Sequence, residues 1–551
     1  MPSLRTISSL LLLALPPLAR PLAAQILPPP PQPAGNVSTP DKILLGKALF
    51  WDEQLSSTRT VACGTCHIFS SGGSDPRTNA RNPGPDGVYG TTDDIHGSPG
   101  VVRQDSLGRY LGATGFGIDP QVTTRRAPSP INAAYQPNLF WDGRAGGAFN
   151  DPVTGLNVLP LGAALESQAA GPPISEVEMG HVGRSWTSIA YDLPSRTPLA
   201  LATNVPAPLA AFVQGQTYAQ LFQQVYGSPG VTPTRILFAI AAYQRTLVSD
   251  QSPYDRFLVG QHMLSATEAQ GLQIFNALCT SCHQDVSPTV LSTGPVLMTF
   301  HNIGVRPNSE DPGRFAVTQN PIDLGAFRIP GMRNVELRAP YFHNGGAPTL
   351  LDAVEFYRRG GDFHQNQDPA ILNIIGAMSG VDRGRVVAFL QTMTDPRVAN
   401  ELPPFDRPRL WSEGPLLPQT IGTGTVGSGG LPPRAVALAP AYLGNPRYTV
   451  GLADCAPGAF PFVVWDLAAN QAPTTLLGHA VYLAQTPAMT VGSGGGLTQG
   501  SMPAGGFGSI TFALPSDPSF AGVSLFGQWL VVDAQGPVGF ASSNAFGFTM
   551  F

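Results

Sequence analysis

Apolar residues recur at helical spacing over Asp41–Leu55, Tyr218–Phe222 and Thr232–Leu247. The last of these is apolar on nearly every face from Arg235 to Leu247, which predicts a buried helix. Ser38-Thr39-Pro40 supplies the start signal for the first. Before it, residues 25–40 are Pro-rich and predict an extended segment. Residues 413–433 are rich in Gly, Ser, Thr and Pro and predict a linker. Beyond it the pattern changes. Tyr448–Leu452, Phe460–Trp465, Ala480–Leu483, Ser509–Ala513 and Val523–Val532 are short β-branched or aromatic runs between Gly and Pro turns, which predicts an all-β sandwich.

Composition narrows the setting. The chain has 551 residues, enough for three domains, and a net charge of −5, which points away from nucleic acid and anionic membranes. Only 12% of residues are charged, against 62 Gly and 56 Pro, as expected for a loop-rich exported protein. Residues 1–24 read as a signal peptide: Arg5 is basic, Ile7 to Leu15 apolar, and Leu22-Ala23-Ala24 a small-residue cleavage site. The run is too short to span a bilayer, and no later stretch reads as a membrane span. The expected location is periplasmic or otherwise extracytoplasmic.

Four of the five cysteines fall in two pentapeptides, Cys63-Gly-Thr-Cys-His67 and Cys279-Thr-Ser-Cys-His283. Cys-x-x-Cys-His is the attachment signature of a c-type haem. The two thiols add to the vinyl groups, and the adjacent His is held under the iron as its proximal ligand. A bare Cys-x-x-Cys also suits zinc or a redox pair, but a His directly after each second Cys argues against both. Two covalently bound haems are therefore expected, on Cys63, Cys66 and His67 and on Cys279, Cys282 and His283. Cys455 is left over and is expected as a buried thiol.

Around these motifs lie Leu45-Gly-Lys-Ala-Leu-Phe-Trp51, Arg125 to Tyr135, Phe140-Trp-Asp-Gly-Arg-Ala145 and Phe327 to Gly345. In these runs the chain resembles the bacterial di-haem cytochrome c peroxidase and MauG family, with insertions, to about residue 412. The resemblance implies a mainly α fold with two cytochrome c-type haem domains. These are a peroxidatic one over 25–205 and an electron-transfer one over 206–412, ahead of the linker and the β domain at 434–551.

The resemblance also implies roles. Gln168, Pro172 and Glu178 reproduce the spacing of the family's distal Gln, Pro and Glu, which makes Glu178 the acid–base for peroxide cleavage. Trp141 matches the tryptophan placed between the haems; physics alone would make it a packed aromatic. Tyr357 falls where peroxidases carry a Met ligand and MauG-type proteins a Tyr, so it is the expected distal ligand of the second iron, with Met378 and Met332 as thioether alternatives. His301 and His343 are expected to be structural.

Residues 70–124 depart from the family. Asp86, Asp93 and Asp94 could hold calcium or be a solvated turn, and the EF-hand spacing is missing. His96 reads either as a labile cap on the first iron or as a surface His. The family's calcium position between the domains carries Arg126 and Arg338 here, with only Pro340 retained, and arginines cannot ligate calcium.

Three functions follow. The first is an exported peroxidase reducing hydrogen peroxide with electrons from a cytochrome c or cupredoxin. The second is a MauG-type oxidase acting on a protein partner through high-valent iron. The third is a non-enzymatic electron carrier, in which Gln168 and Glu178 would be idle.

Overall fold

The computed structural model describes residues 25–297, 299–476, 478–501 and 505–551. The segment read as a signal peptide lies outside them. Among the described residues no helix is long and apolar enough to cross a membrane.

The first helix, Pro40–Trp51, is capped by Thr39, whose side chain accepts from the Lys42 amide. It stops four residues short of the predicted end. Asp52 leaves helical geometry and caps the short turn Glu53–Leu55. Its buried carboxylate accepts from Tyr218 Oη at 2.7 Å and from the Leu199 amide at 2.9 Å. The predicted buried helix spans Pro233–Gln244 and packs on the first so closely that a Cβ on Gly46 would lie 1.9 Å from the Ala239 carbonyl oxygen. The second unit repeats this device. Ala266–Leu278 leads into the second Cys-x-x-Cys-His motif and crosses Gly380–Gln391, where a Cβ on Gly271 would lie 1.9 Å from the Arg385 carbonyl oxygen. Each unit has its own apolar core, one around Phe50, Trp51, Phe69 and Tyr243, the other around Phe275, Val386 and Phe389.

The C-terminal region is β-rich. One sheet has the order Thr490–Ser493, Pro461–Asp466, Ser524–Val532, Phe540–Thr549, Gln419–Ile421; a second runs Gly506–Phe512, Tyr448–Cys455, Arg434–Ala437; and Ala469–Leu476 pairs with His479–Leu483. Facing side chains of the first two sheets, including Tyr448, Val450, Val463, Trp529 and Phe546, share one buried core. Cys455 is buried in it. Gln419–Ile421, inside the stretch read as a linker, pairs with the last strand.

The departure at 70–124 has a structural use. Pro99–Val102 and Pro120–Val122 pair as a small antiparallel ribbon. Val102, Tyr110 and Ile118 of this segment pack on Val436 and Ala453 of the β-rich region. Arg434 bridges Asp119 at 2.7 Å, and the Tyr110 amide donates to Ser509 Oγ at 3.0 Å.

Candidate active site

In each Cys-x-x-Cys-His motif a tight turn returns the His amide to the first Cys carbonyl, at 3.2 Å for His67 and 2.9 Å for His283. This turns both thiols and the imidazole toward one cavity. Burial pushes the thiols of Cys63, Cys66 and Cys279 up to about 12. The Cys282 thiol of the second motif goes the other way, held below its ordinary value by His301, 4.0 Å from its Sγ. His67 Nδ1 lies 3.2 Å from the Gly73 carbonyl oxygen, which leaves Nε2 as the free ring nitrogen.

The first cavity holds about 580 Å³. Cys63, Cys66 and His67 line it together with Gln168, Pro172, Glu178 and Trp141. The ten-residue gap between Gln168 and Glu178 is closed by the short turn Pro172–Ile174. The Glu178 loop is strapped down on several sides. The Val101 amide donates to the Val177 carbonyl at 3.1 Å, Gln121 Nε2 to the Glu176 carbonyl at 2.7 Å, and Arg184 Nη1 to the Met179 carbonyl at 3.0 Å. A Cβ on Gly100 would lie 2.0 Å from the Val177 oxygen, so the ribbon that carries the β-rich region also backs this loop. Burial raises the Glu178 carboxyl above its ordinary value, and Arg144 pulls it partly back. Among the described residues, neither the Gln168 amide nor the Glu178 carboxylate has a hydrogen-bond partner.

Trp141 lines the second cavity as well as the first. Its Nε1 donates to the Arg126 carbonyl at 2.8 Å, and its own carbonyl accepts from the Arg328 amide at 2.7 Å. His343 packs edge-on to it with ring centroids 6.3 Å apart and stacks on Phe327 at 3.8 Å. Burial brings His343 down to about 4, so it is neutral at neutral pH. Arg125 joins the two units by donating to Asp142 at 2.7 Å and Asp311 at 2.6 Å. The sequence reading missed Arg125 and Asp311 as partners, and 186 residues of separation leave no local signal.

The second cavity is narrower, about 160 Å³, and is lined by Cys279, Cys282, His283, Tyr357, Met332 and Met378. All three distal-ligand candidates therefore reach it. Burial raises the Tyr357 phenol above its ordinary value. His301, read as structural, is on the same wall, paired with Asp368 and 4.0 Å from Cys282 Sγ.

Other expected residues fall elsewhere. His96 is not on the wall of the first cavity; its amide donates to the Asn344 carbonyl at 2.9 Å in the contact between units. Asp86, Asp93 and Asp94 do not converge. Asp93 accepts from the Asp86 amide at 3.1 Å and Asp94 from the Gly90 amide at 2.9 Å. Among the described residues no three His, Cys, Asp or Glu side chains are grouped to hold a metal ion. Arg126 and Arg338 meet beside Pro340 between the two cavities.

The profile of the di-haem cytochrome c peroxidase family matches residues 40–263. Cytochrome c551 peroxidase of Pseudomonas aeruginosa is 30% identical over 315 residues, 56% of this chain and 69% of that protein. The chain belongs to the di-haem cytochrome c peroxidase and MauG family. Methylamine utilization protein MauG of Methylorubrum extorquens is 29% identical over 378 residues, covering 68% of this chain and 84% of that one. Cytochrome c peroxidase Ccp of Escherichia coli is 28% identical over 360 residues, 64% of this chain, which spans 61% of the length of that relative. The family is one of oxidoreductases and implies two haems.

The residues present fit that cofactor. Four free thiols, the buried imidazole of His283 and the half-buried one of His67 face the two cavities. Arg126 Nη1 and Arg338 Nε are buried between them with no partner, donors suited to an anionic group such as a haem carboxylate.

Proposed function

We propose that the protein is an exported di-haem peroxidase that reduces hydrogen peroxide to water with electrons from a small redox protein, a cytochrome c or a cupredoxin. The observation that carries this reading is the pair Gln168 and Glu178 on the wall of the His67 cavity, both without a protein partner. Haems attached covalently through Cys63 and Cys66, and through Cys279 and Cys282, with His67 and His283 as proximal ligands, would supply the redox chemistry and a position for peroxide.

Cleavage of the O–O bond needs a proton to leave the near oxygen and reach the departing one. Glu178 takes the first and delivers it to the second. Its raised pKa suits a group that must both accept and return a proton. Gln168 orients the peroxide by donating its amide hydrogens. Trp141, backed by Arg126 and Arg328, fills the gap that electrons cross from the second unit. Two electrons and two protons convert one peroxide to two waters.

The test is peroxide-dependent oxidation of a pre-reduced small cytochrome c by the haem-loaded protein. Glu178→Gln should slow it by about 10²–10⁴-fold with haem content unchanged. An unchanged rate would overturn the assignment.

A second reading, a MauG-type oxidase acting on a protein partner, takes Tyr357 as the distal ligand in place of Met332 or Met378, which line the same cavity. Peroxide-driven oxidation of an added protein by the fully ferric form, lost in Tyr357→Met, would select it.

A further inference from the structure

A second large cavity, about 470 Å³, lies between the N-terminal haem unit and the β-rich region. It shares only Val61 with the wall of the His67 cavity. Arg59, Arg184, Arg196 and Arg447 line it. Three come from the N-terminal unit, and Arg447 comes from the loop before the strand Tyr448–Cys455.

Among the described residues none of these four has a carboxylate within ion-pair distance. Arg184 donates only to the carbonyls of Pro173 and Met179, both at 3.0 Å, and Arg447 to that of Ser106. Arg59 lies over the Tyr442 ring at 4.9 Å, and the Arg196 side chain has no partner. The acids on the wall balance them only in part: the charge of Asp192 attracts Arg59, Arg184 and Arg196 from beyond ion-pair distance. Asp105 is taken by Arg109 at 2.7 Å, and Asp192 is exposed. The guanidinium groups repel one another. Burial, then Arg196, bring Arg59 down to about 9, with Asp192 partly opposing them; burial brings Arg184 down to about 10, where the pull of Asp192 outweighs the push of Arg196. Gathering unpaired cations in a partly closed cavity costs stability unless an anion relieves it.

We infer that this cavity is a binding site for a small oxyanion carrying phosphate or several carboxylates, held between the haem unit and the β-rich region. Planar guanidinium groups match both headgroups through paired hydrogen bonds. The hydroxyl of Ser57 and one of the mutually bonded pair Thr58 and Thr60 on the same wall add donors. Because Arg447 comes from the other side, an occupied site ties the β-rich region to the unit that carries Glu178.

The test is calorimetric titration of the haem-loaded full chain with inorganic phosphate and, separately, with citrate, each at ionic strength matched with chloride. Saturable binding of either is expected, weakened by about ten- to a hundredfold in Arg59→Gln/Arg196→Gln and in Arg447→Gln. Unchanged Soret spectra will show the variants folded and loaded. Whichever probe binds identifies the headgroup. Neither probe saturating, or both binding the variants as tightly as the parent, would overturn the site.

Discussion

Trp141 Nε1 donates to the Arg126 carbonyl at 2.8 Å, and this bond fixes an indole that lines both the His67 and the His283 cavities. Replacing the ring with Trp141→Phe keeps an aromatic wall but leaves that carbonyl without its partner. Stability should fall by about 1–3 kcal/mol in denaturant unfolding. Electron transfer between the two irons, followed after partial reduction, should slow while haem content stays constant.

Glu178 should set the acidic limb of peroxide turnover. Its pKa is raised by burial and lowered by Arg144, so the carboxylate forms only above the ordinary value of 4.5. Activity should rise with pH through that raised value. Arg144→Ala removes the opposing charge and should move the limb to higher pH in a kcat/KM profile; a limb that stays in place would contradict the assignment.

Arg125 is the cation shared by Asp142 and Asp311. Burial pushes both carboxyls up, but Arg125, joined at Asp142 by Arg144, more than reverses this and holds them below the usual range. The stability they contribute is present above 3.8 and is lost as pH falls through the lowered values. Arg125→Gln strands the largely buried Asp311 and leaves Asp142 to Arg144 alone, at 2.8 Å, and should cost about 3–5 kcal/mol, read by urea unfolding at neutral pH.

Glu53 links the first haem unit to the chain leaving the second. Its carboxylate accepts from the Trp411 amide at 2.6 Å and from the Ser412 amide at 3.1 Å, and burial pushes it up to about 7. The folded chain therefore holds a proton that the unfolded chain has lost. That contribution to stability is complete below 4.5 and fades as pH rises through about 7. Glu53→Gln should flatten the pH dependence of the unfolding midpoint across this window.

Both Cys-x-x-Cys-His turns were legible because their spacing is local, and the helices near them because their apolar positions recur at helical spacing. Gln168 and Glu178 stood out only through the family resemblance, since a lone Glu carries no local mark. The longest strand, Phe540–Thr549, was missed because Ser542, Ser543 and Asn544 break the apolar alternation. They are buried and bonded instead: Ser543 Oγ accepts from the Trp529 amide at 3.0 Å and Asn544 Oδ1 from the Ala435 amide at 3.0 Å. Gln419–Ile421 has turn-like neighbours and is a strand only because the last strand offers an edge. The oxyanion cavity joins arginines from distant segments and has no sequence signature.

The most direct test of the peroxidase reading is a single-turnover reaction of the half-reduced, haem-loaded protein with one equivalent of hydrogen peroxide, in the parent and in Glu178→Gln. The account predicts rapid consumption of peroxide by the parent and a rate lower by about 10²–10⁴-fold in the variant, with identical starting spectra. Equal rates in the two proteins, or no consumption by the parent, would contradict it.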